Sequence, residues 1–385
     1  MSRIIVGISG GVDSSVAAYL LKKAGHEVIG CRMRTFDTPA SLEEERSAAE
    51  VAERLGIPLY TIDMRDAFAK NVIAHFAEEY AHGRTPNPCL RCNRLVKWQA
   101  LLQCMREHDA DLVATGHYAA VTKKCSQKGS ADPGPVRFGI ARVASEKDQS
   151  YALYDLTQEE IAHTVFPLSG LTKEEVRELA REAGLLTAEK PDSMEICFIP
   201  DNDYAGFLGD RFGIRDCPGS YVDEEGHVLG KHQGIVHYTV GQRKGLGIAL
   251  GKRIFVKEIR PLTNEVVLAD DSDVFTDHIF VKDMNFQLLS PDAAQNAEGV
   301  FASLVKIRYA DRGTPGTIRA AVGDLPEYSS RISPSEDAGQ IFRIDFDRPV
   351  RAAAPGQAAV CYNEEGQILC GGIILQTQKM PFRPN

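Results

Sequence analysis

Three groups of residues in this chain have the types and spacing that chemistry needs. The first is Ser9-Gly10-Gly11-Val12-Asp13-Ser14-Ser15, which follows the apolar run Ile4-Ile5-Val6-Gly7-Ile8 and opens the amphipathic stretch Val12 to Ala24. Two adjacent glycines let a backbone approach an anion with no Cβ in the way, and unpaired N–H groups at the following helix start point at it. The string therefore predicts a phosphate cradle. It lacks the lysine that a Walker A loop, G-x-x-x-x-G-K-[ST], sets on the β- and γ-phosphates, which disfavours a kinase or motor ATPase. The second group is Cys89-x-x-Cys92, delivered by Thr85-Pro86-Asn87-Pro88 into a helix expected around Leu95 to Arg106. A helix N-terminus lowers thiol pKa and favours the nucleophilic thiolate. The third is Cys197, between Pro191 and Pro200 in an apolar, strand-like stretch where a cysteine taken singly reads as a small buried hydrophobe. By itself the C-x-x-C pair leaves redox, zinc and iron–sulfur readings open. Cys31, Cys104, Cys125, Cys217, Cys361 and Cys370 lack supporting context and read as packing residues.

The elements that must position these groups are legible as periodicities. The chain has 385 residues, more than one typical core, and about two or three domains are expected. Its first 200 residues alternate short β-rich runs with helical patterns, the signature of a parallel sheet covered by helices. Strands are expected at Ile4 to Ile8, Glu27 to Met33, Leu59 to Ile62 and Leu112 to Thr115. Ser41-x-x-Glu44, Thr157-x-x-Glu160 and Thr172-x-x-Glu175 read as capping boxes, and Gly25, Gly56 and Gly184 sit where a left-handed C-terminal residue is wanted. Val121 to Ala144 reads as a hairpin with its tip at Ser126 to Pro135. Beyond Pro200 glycine-punctuated short strands run to about Leu268, and from about Asp277 to Gln376 the pattern is almost wholly alternating β. The fold class is thus α/β: a Rossmann-like parallel sheet over residues 1–200, a small β-rich module over 201–272 and a C-terminal β-barrel over 273–385, with a sandwich as the barrel's alternative. Ligands of such a sheet bind outside the carboxyl ends of its strands, where Ser9 to Ser15, Met33 and Gly116-His117 all fall.

Composition narrows the partners. With 43% hydrophobic and 25% charged residues the chain is ordinary globular material, and its net charge of −9 argues against sequence-blind coating of nucleic acid. Two local runs oppose that average: Arg84 to Lys97 holds four basic residues and no acid, and Gly230 to Lys257 holds six and no acid. Either run could be a solvated face. The start MSRIIVGISGG lacks a signal-peptide design, so the cytoplasm is expected, and nine cysteines in a cytosolic chain of this length do not form a disulfide framework.

S-G-G-x-D-S resembles the PP-loop of the ATP pyrophosphatases, which grip the β- and γ-phosphates, release pyrophosphate and leave AMP on an acceptor oxygen. In that reading Asp13 holds Mg²⁺. The strings S-G-G-V-D-S-S, G-R-T-P-N-P-x-x-x-C-N (Gly83 to Asn93), A-T-G-H-Y (Ala114 to Tyr118), K-D-Q-S-Y (Lys147 to Tyr151), D-S-x-x-I-C-F-I (Asp192 to Ile199), G-Q-R-K-G-L-G-I (Gly241 to Ile248) and P-G-Q-x-A-V (Pro355 to Val360) occur in this order. Together they make the chain similar, nearly end to end, to the bacterial tRNA-specific 2-thiouridylases, sulfurtransferases that replace O2 of the wobble uridine with sulfur.

The resemblance implies that Gly7, Ile8, Ser9, Gly10, Gly11, Val12, Asp13, Ser14, Met33 and Gly116 bind ATP. It implies that Cys197 carries sulfur as a persulfide and that Cys92 is the nucleophile that frees or delivers it. Asn87, Pro88 and Cys89 would face the target base, and His117, Lys147, Asp148, Gln149, Arg308, Tyr309 and Gln357 would contact tRNA. Arg243-Lys244 between glycines reads as a phosphate-backbone clamp or a solvated loop. Without the resemblance, His117 is as readily a hydrogen-bonded turn residue. The implied partners are tRNAs for Lys, Glu and Gln and a cysteine desulfurase, acting directly or through a relay.

One departure matters: many relatives carry Asp where this chain has Cys89, and a thiol does not inherit that residue's proton-transfer role. Three thiols, Cys89, Cys92 and Cys197, admit a persulfide route, a [4Fe–4S] cluster with one open iron that carries the extra sulfide, or structural zinc. Two readings compete with thiolation: a PP-loop ligase that delivers nitrogen, which needs no paired thiols, and a non-catalytic ATP-binding RNA chaperone.

Overall fold

The computed structural model describes residues 1–125, 136–190, 196–295, 299–321 and 340–375. The expected hairpin tip at Ser126 to Pro135 and the Asp192 to Glu195 part of the D-S-x-x-I-C-F-I string lie outside them. The chain divides into two compact units: Met1–Ala74 with Pro88–Phe198 and Glu365–Ile368, and His75–Asn87 with Ile199–Glu364 and Leu369–Asn385.

The first unit is a five-stranded sheet. Its strands are β1 (Arg3–Gly7), β2 (Glu27–Arg34), β3 (Leu59–Asp63), β4 (Leu112–Ala114) and a two-residue strand at Thr164–Val165 that the sequence reading missed. The order is β3-β2-β1-β4-(164–165), with Ile5 opposite Ile29 on one side and Val113 on the other, all parallel. Ile4, Ile5 and Val6 are buried because a parallel strand between helices has no wet face. Helix α1 (Val12–Lys23) lays Val16, Ala17 and Ala18 on this sheet, where Val51 of α2 (Pro39–Leu55) and Ala180 join the same core. Each fully buried Val, Ile or Leu there contributes about 1.5–3 kcal/mol.

The capping and left-handed-glycine signals were read correctly except at α2. Thr157 and Thr172 form capping boxes with Glu160 and Glu175, and Gly25, Gly56 and Gly184 all take positive φ. Helix α2 instead starts earlier: Thr38 is its cap, the Thr38 Oγ1 accepts from Ser41 N at 3.2 Å, and Ser41 is the third helical residue rather than the cap. Thr38-Pro39 is the better start because proline at the first helical position gives up no hydrogen bond. The hairpin arms Ala120–Cys125 and Val136–Ala141 pair antiparallel.

The second unit holds a four-stranded sheet from Gly219–Val222, Val228–His232, Phe255–Arg260 and Glu265–Ala269, built over Tyr221, Tyr238, Val256 and Ile259. It also holds a closed six-stranded barrel. Closure is what separates barrel from sandwich: the 12-residue strand Phe275–Phe286 pairs with both Phe342–Arg351 and Ile368–Ile374. Its register shifts between Thr276 and His278 and again between Lys282 and Asn285, and such bulges bend a strand enough to serve two neighbours.

Candidate active site: a nucleotide loop and three thiols

The loop after β1 is held open by its own serines. Ser14 Oγ donates to Gly11 O at 3.1 Å and Ser15 Oγ to the same carbonyl at 2.8 Å, while Ser9 N donates to Ser14 Oγ at 3.2 Å. Gly11 caps α1 without a side chain, so the first N–H groups of that helix face outward for an anion. Two glycines are required by contact. Gly10 has φ +76°, and a Cβ there would meet Glu44 O at 2.7 Å; a Cβ on Gly116, just beyond β4, would meet Ser14 N at 2.6 Å. A Cβ on Gly7 would lie 3.5 Å from Met33 Cε. The structure thus brings Gly7, Met33, Gly116 and the Ser9 to Ser14 loop together at the carboxyl end of the sheet.

Asp13 is engaged by residues the sequence reading did not select. Lys173 Nζ donates to both its oxygens at 2.8 Å, and Tyr118 OH donates to Oδ1 at 2.8 Å. The capping box at Thr172 located the start of this helix, Lys173–Glu182, but no local pattern connects Lys173 with a loop 160 positions earlier. An ionised carboxylate offers about four lone-pair sites, so these three bonds leave one for Mg²⁺, which usually takes only one or two carboxylates. Behind the loop, Lys190 Nζ donates to Ser47 Oγ at 2.7 Å and to Gly10 O at 3.4 Å, fixing the Gly10–Gly11 peptide, whose N–H donates to Ser9 Oγ at 3.4 Å.

The thiols differ from expectation in two ways. Cys89 and Cys92 do not precede a helix: they lie inside one, α3 (Pro88–Cys92), which continues as a π-helical turn at Asn93–Trp98 and then as α4 (Gln99–Glu107). Cys92 is therefore more than a turn from the N-terminus, and burial pushes its pKa up rather than the helix end pulling it down. Cys197 is in a turn, not a strand, and the residue is exposed rather than a buried hydrophobe. Its sulfur is nonetheless crowded: burial, with Cys92 and Cys89 nearby, pushes it up to about 12, and Lys97 acts in the opposite direction.

No disulfide joins Cys89, Cys92 and Cys197. Among the described residues they do not bring three ligand atoms within 4.8 Å of one another, the closeness that one shared metal ion demands, so structural zinc does not fit. A cluster, which spreads its thiolates across its own width, is compatible with three such cysteines. Of the remaining cysteines, Cys31, Cys104, Cys361 and Cys370 are buried as expected; Cys217 is exposed, and Asn264 Nδ2 approaches its sulfur at 3.4 Å.

The remaining site residues differ in contacts and in exposure. In the first unit Asp148 accepts from Val143 N at 3.2 Å and from Ser150 Oγ at 3.0 Å, and Gln149 Oε1 accepts from Tyr118 N at 3.1 Å, so both shape a turn beside the A-T-G-H-Y segment. Lys147 is exposed. His117 Nδ1 pairs with Thr115 Oγ1 at 2.8 Å, and its ring lies 5.8 Å from Trp98 and 6.4 Å from Phe166. In the second unit Gln357 Nε2 donates to Thr85 O at 2.6 Å, and Thr85 N to Pro355 O at 2.8 Å, so the P-G-Q string clamps the backbone entering Asn87. Arg243, Lys244 and Arg308 are exposed, and Tyr309 is 43% exposed with Lys306 Nζ over its ring.

Burial holds the pKa of His117 down to about 3, so the imidazole is neutral at physiological pH and any role in recognition is as a hydrogen-bond partner, not a charge. The unfolded chain protonates this group near 6.5, so between about 6.5 and 3 it binds more protons than the fold does. Stability therefore falls as pH drops through that window. Ring resonances of His117 that stay flat from pH 8 to 5 in NMR are the expected result; a midpoint near 6.5 contradicts the assignment.

The parallel sheet, the serine-braced glycine loop and the aspartate on its helix define a PP-loop ATP-binding protein, here with thiols in the same unit. Residues 2–201 match the family described as tRNA methyl transferase HUP domain, 206–270 its PRC-barrel domain and 276–374 the aminomethyltransferase beta-barrel domain. The tRNA-specific 2-thiouridylase MnmA of Lachnoclostridium phytofermentans is 46% identical over 97% of this chain and 99% of its own length; that of Acetivibrio thermocellus is 43% identical over 97% and 99%. The chain belongs to the tRNA-specific 2-thiouridylase family. Among solved structures, the U34-tRNA thiolase NcsA from Methanococcus maripaludis with its [4Fe-4S] cluster is 19% identical, covering 54% of this chain and 66% of its own at a TM-score of 0.34.

Proposed function

We propose that this enzyme converts the wobble uridine, position 34 of tRNA, to 2-thiouridine by ATP-dependent adenylation of O2 followed by sulfur transfer from a cysteine persulfide. The observation that carries the reading is the pairing, within one compact unit, of a pyrophosphate-type nucleotide loop with three neighbouring thiols. A uracil carbonyl oxygen does not leave until it is activated. O2 attacks the α-phosphorus, pyrophosphate departs with its electron pair, and N3 gives up its proton. The Gly10, Gly11 and Val12 N–H groups hold the phosphates, and Mg²⁺ taken by the remaining lone pair of Asp13 would offset their charge.

The persulfide on Cys197 then attacks C2, and AMP leaves with O2. Cys92 thiolate attacks the Cys197 sulfur, the bond to the transferred sulfur breaks, and that sulfur stays on the base with the electron pair while N3 regains a proton. A Cys92–Cys197 disulfide remains for a thiol reductant. Should a [4Fe–4S] cluster be bound instead, Cys89, Cys92 and Cys197 would hold it and its open iron would supply the sulfide site.

The chain is read as an ATP-binding catalytic domain to residue 200, a tRNA-contacting module to 272 and a barrel beyond. Asn87, Pro88 and Cys89 face the base; His117, Lys147, Asp148 and Gln149 form the first unit's RNA edge, and Arg243, Lys244, Arg308, Tyr309 and Gln357 that of the second. A base in an anticodon loop is already single-stranded, so extruding it costs less than opening a duplex. The reading takes tRNAs for Lys, Glu and Gln as substrates and a cysteine desulfurase or relay protein as sulfur donor, in the cytoplasm where tRNA matures.

Arg243 and Lys244 carry no ion pair among the described residues, which supports a phosphate-clamp role. Replacing both by Ala is expected to weaken tRNA binding and lower the slope of log affinity against log salt by about 1–2, each lost phosphate contact releasing roughly one counterion less. An unchanged slope contradicts the clamp. The reading as a whole is tested by incubating the protein with unmodified tRNA, ATP, Mg²⁺ and a sulfur source. The expected products are AMP, pyrophosphate and 2-thiouridine at position 34; pyrophosphate release independent of tRNA sinks it.

A further inference from the structure

The basic run Arg84 to Lys97 opposes the chain's net negative charge, and the structure separates its members. Arg84 is paired with Glu79, Arg91 Nε donates to Asn71 O at 3.0 Å, and Arg94 Nη1 reaches Asp155 at 2.9 Å. Three of the four cations thus hold their own unit together. Lys97 is half-buried and, among the described residues, makes no hydrogen bond or ion pair. A lysine that loses part of its hydration and gains no partner is costly unless an anion arrives.

Its register says which anion. Asn93–Trp98 is a π-helical turn, in which i→i+5 hydrogen bonds set residues five apart over one another, and Cys92 and Lys97 are five apart. In an α-helix residues five apart diverge in angle; the wide turn brings Lys97 round to the face that carries Cys92. The charge of Lys97 opposes burial at Cys92 and at Cys197 alike, whereas Cys89, Cys92 and Glu44 all act against an anion on Cys197. The helix N-terminus, which the sequence reading credited with activating the pair, is too far from Cys92 to do so.

We propose that Lys97 is the counter-charge for the sulfur step: its ammonium neutralises the anionic outer sulfur on Cys197 as it attacks C2, and the Cys92 thiolate as it displaces the product. The inference rests on the thiolation reading and deepens it, dividing the reaction between two cations. Lys173 serves the nucleotide half through Asp13. Lys97 serves the sulfur half.

The test uses the full-length protein with Lys97→Gln, Lys97→Met and Lys97→Arg, scored for tRNA-dependent pyrophosphate release, 2-thiouridine by nucleoside mass spectrometry, and the Cys92–Cys197 disulfide by peptide mass spectrometry. Removing one preorganised charge from a partly desolvated site costs about 10²–10³ in rate. Lys97→Gln is therefore expected to lose about a hundredfold in 2-thiouridine and disulfide formation while pyrophosphate release stays within about threefold, with Lys97→Arg restoring most of the loss. Lys97→Met, which fills a similar volume, decides the matter if the glutamine variant melts early.

Equal loss of both half-reactions assigns Lys97 to the nucleotide or the RNA and overturns the proposal, as does undiminished thiolation in the glutamine variant. A parent enzyme that makes no 2-thiouridine overturns the functional reading itself, and this inference with it.

Discussion

Cys197→Ser is expected to leave tRNA-dependent pyrophosphate release within a few-fold of the parent while 2-thiouridine formation falls by about 10³-fold or more. A hydroxyl cannot carry sulfane sulfur, whereas the nucleotide loop is held by its own serines with Lys173, Tyr118 and Lys190, so activation and sulfur delivery should come apart cleanly. The adenylated tRNA should accumulate and be trapped by mass spectrometry. Cys92→Ser differs in kind. The Cys197 persulfide can still attack C2, but with no thiolate to take over the disulfide, a covalent tRNA–protein adduct through sulfur should build up and be released by an added thiol. The pair of outcomes discriminates between chemistries: undiminished product with Cys197→Ser would favour a nitrogen-delivering ligase. Stoichiometric iron that is lost in Cys89→Ala would favour the cluster over the simple persulfide scheme.

The second large effect concerns Asp13 and Lys173. Asp13→Asn removes the charge that holds Lys173, whose side chain is only 10% exposed and whose ammonium donates to both Asp13 oxygens. The orphaned ammonium makes this the costlier partner to lose, near the lower end of the roughly 3–5 kcal/mol found for breaking buried pairs, because Asp13 itself is 32% exposed. Pyrophosphate release should fall by about 10³-fold, since both the metal ligand and the aligned cation go. Lys173→Met leaves a carboxylate that water can reach and that Tyr118 still donates to, so its stability loss should be smaller. Its kinetic loss should appear chiefly as a raised KM for ATP. Thermal melting and steady-state pyrophosphate assays check both; a Lys173→Met variant that melts lower than Asp13→Asn would reverse the asymmetry.

Residue by residue, what was legible was local. The four main strands, two of the three capping boxes, the left-handed glycines and the nucleotide loop were read from the sequence because each is decided within about six residues: glycine supplies φ > 0, and a serine or threonine reaches its own backbone. The α2 start was misread because Thr38-Pro39 and Ser41-x-x-Glu44 are both adequate caps, and which one serves depends on packing beneath the helix. The two-residue strand at Thr164–Val165 is too short to have a period. The C-x-x-C pair was assigned a lowered pKa on the assumption that the helix began after it, whereas α3 begins one residue before Cys89.

The sequence by itself determined the phosphate cradle, the thiols, the α/β-then-β order and the family, because short-range backbone chemistry and a near end-to-end set of strings carry that information. Only the tertiary structure decided that Asp13 is gripped by Lys173, that Gln357 clamps Thr85, that burial rather than a helix end raises the Cys92 pKa, and that Lys97 alone of its run is left without a partner among the described residues. Those facts depend on which distant side chains share a desolvated space. Charge and solvation act through space, with no regard for separation along the chain, and no local pattern records them.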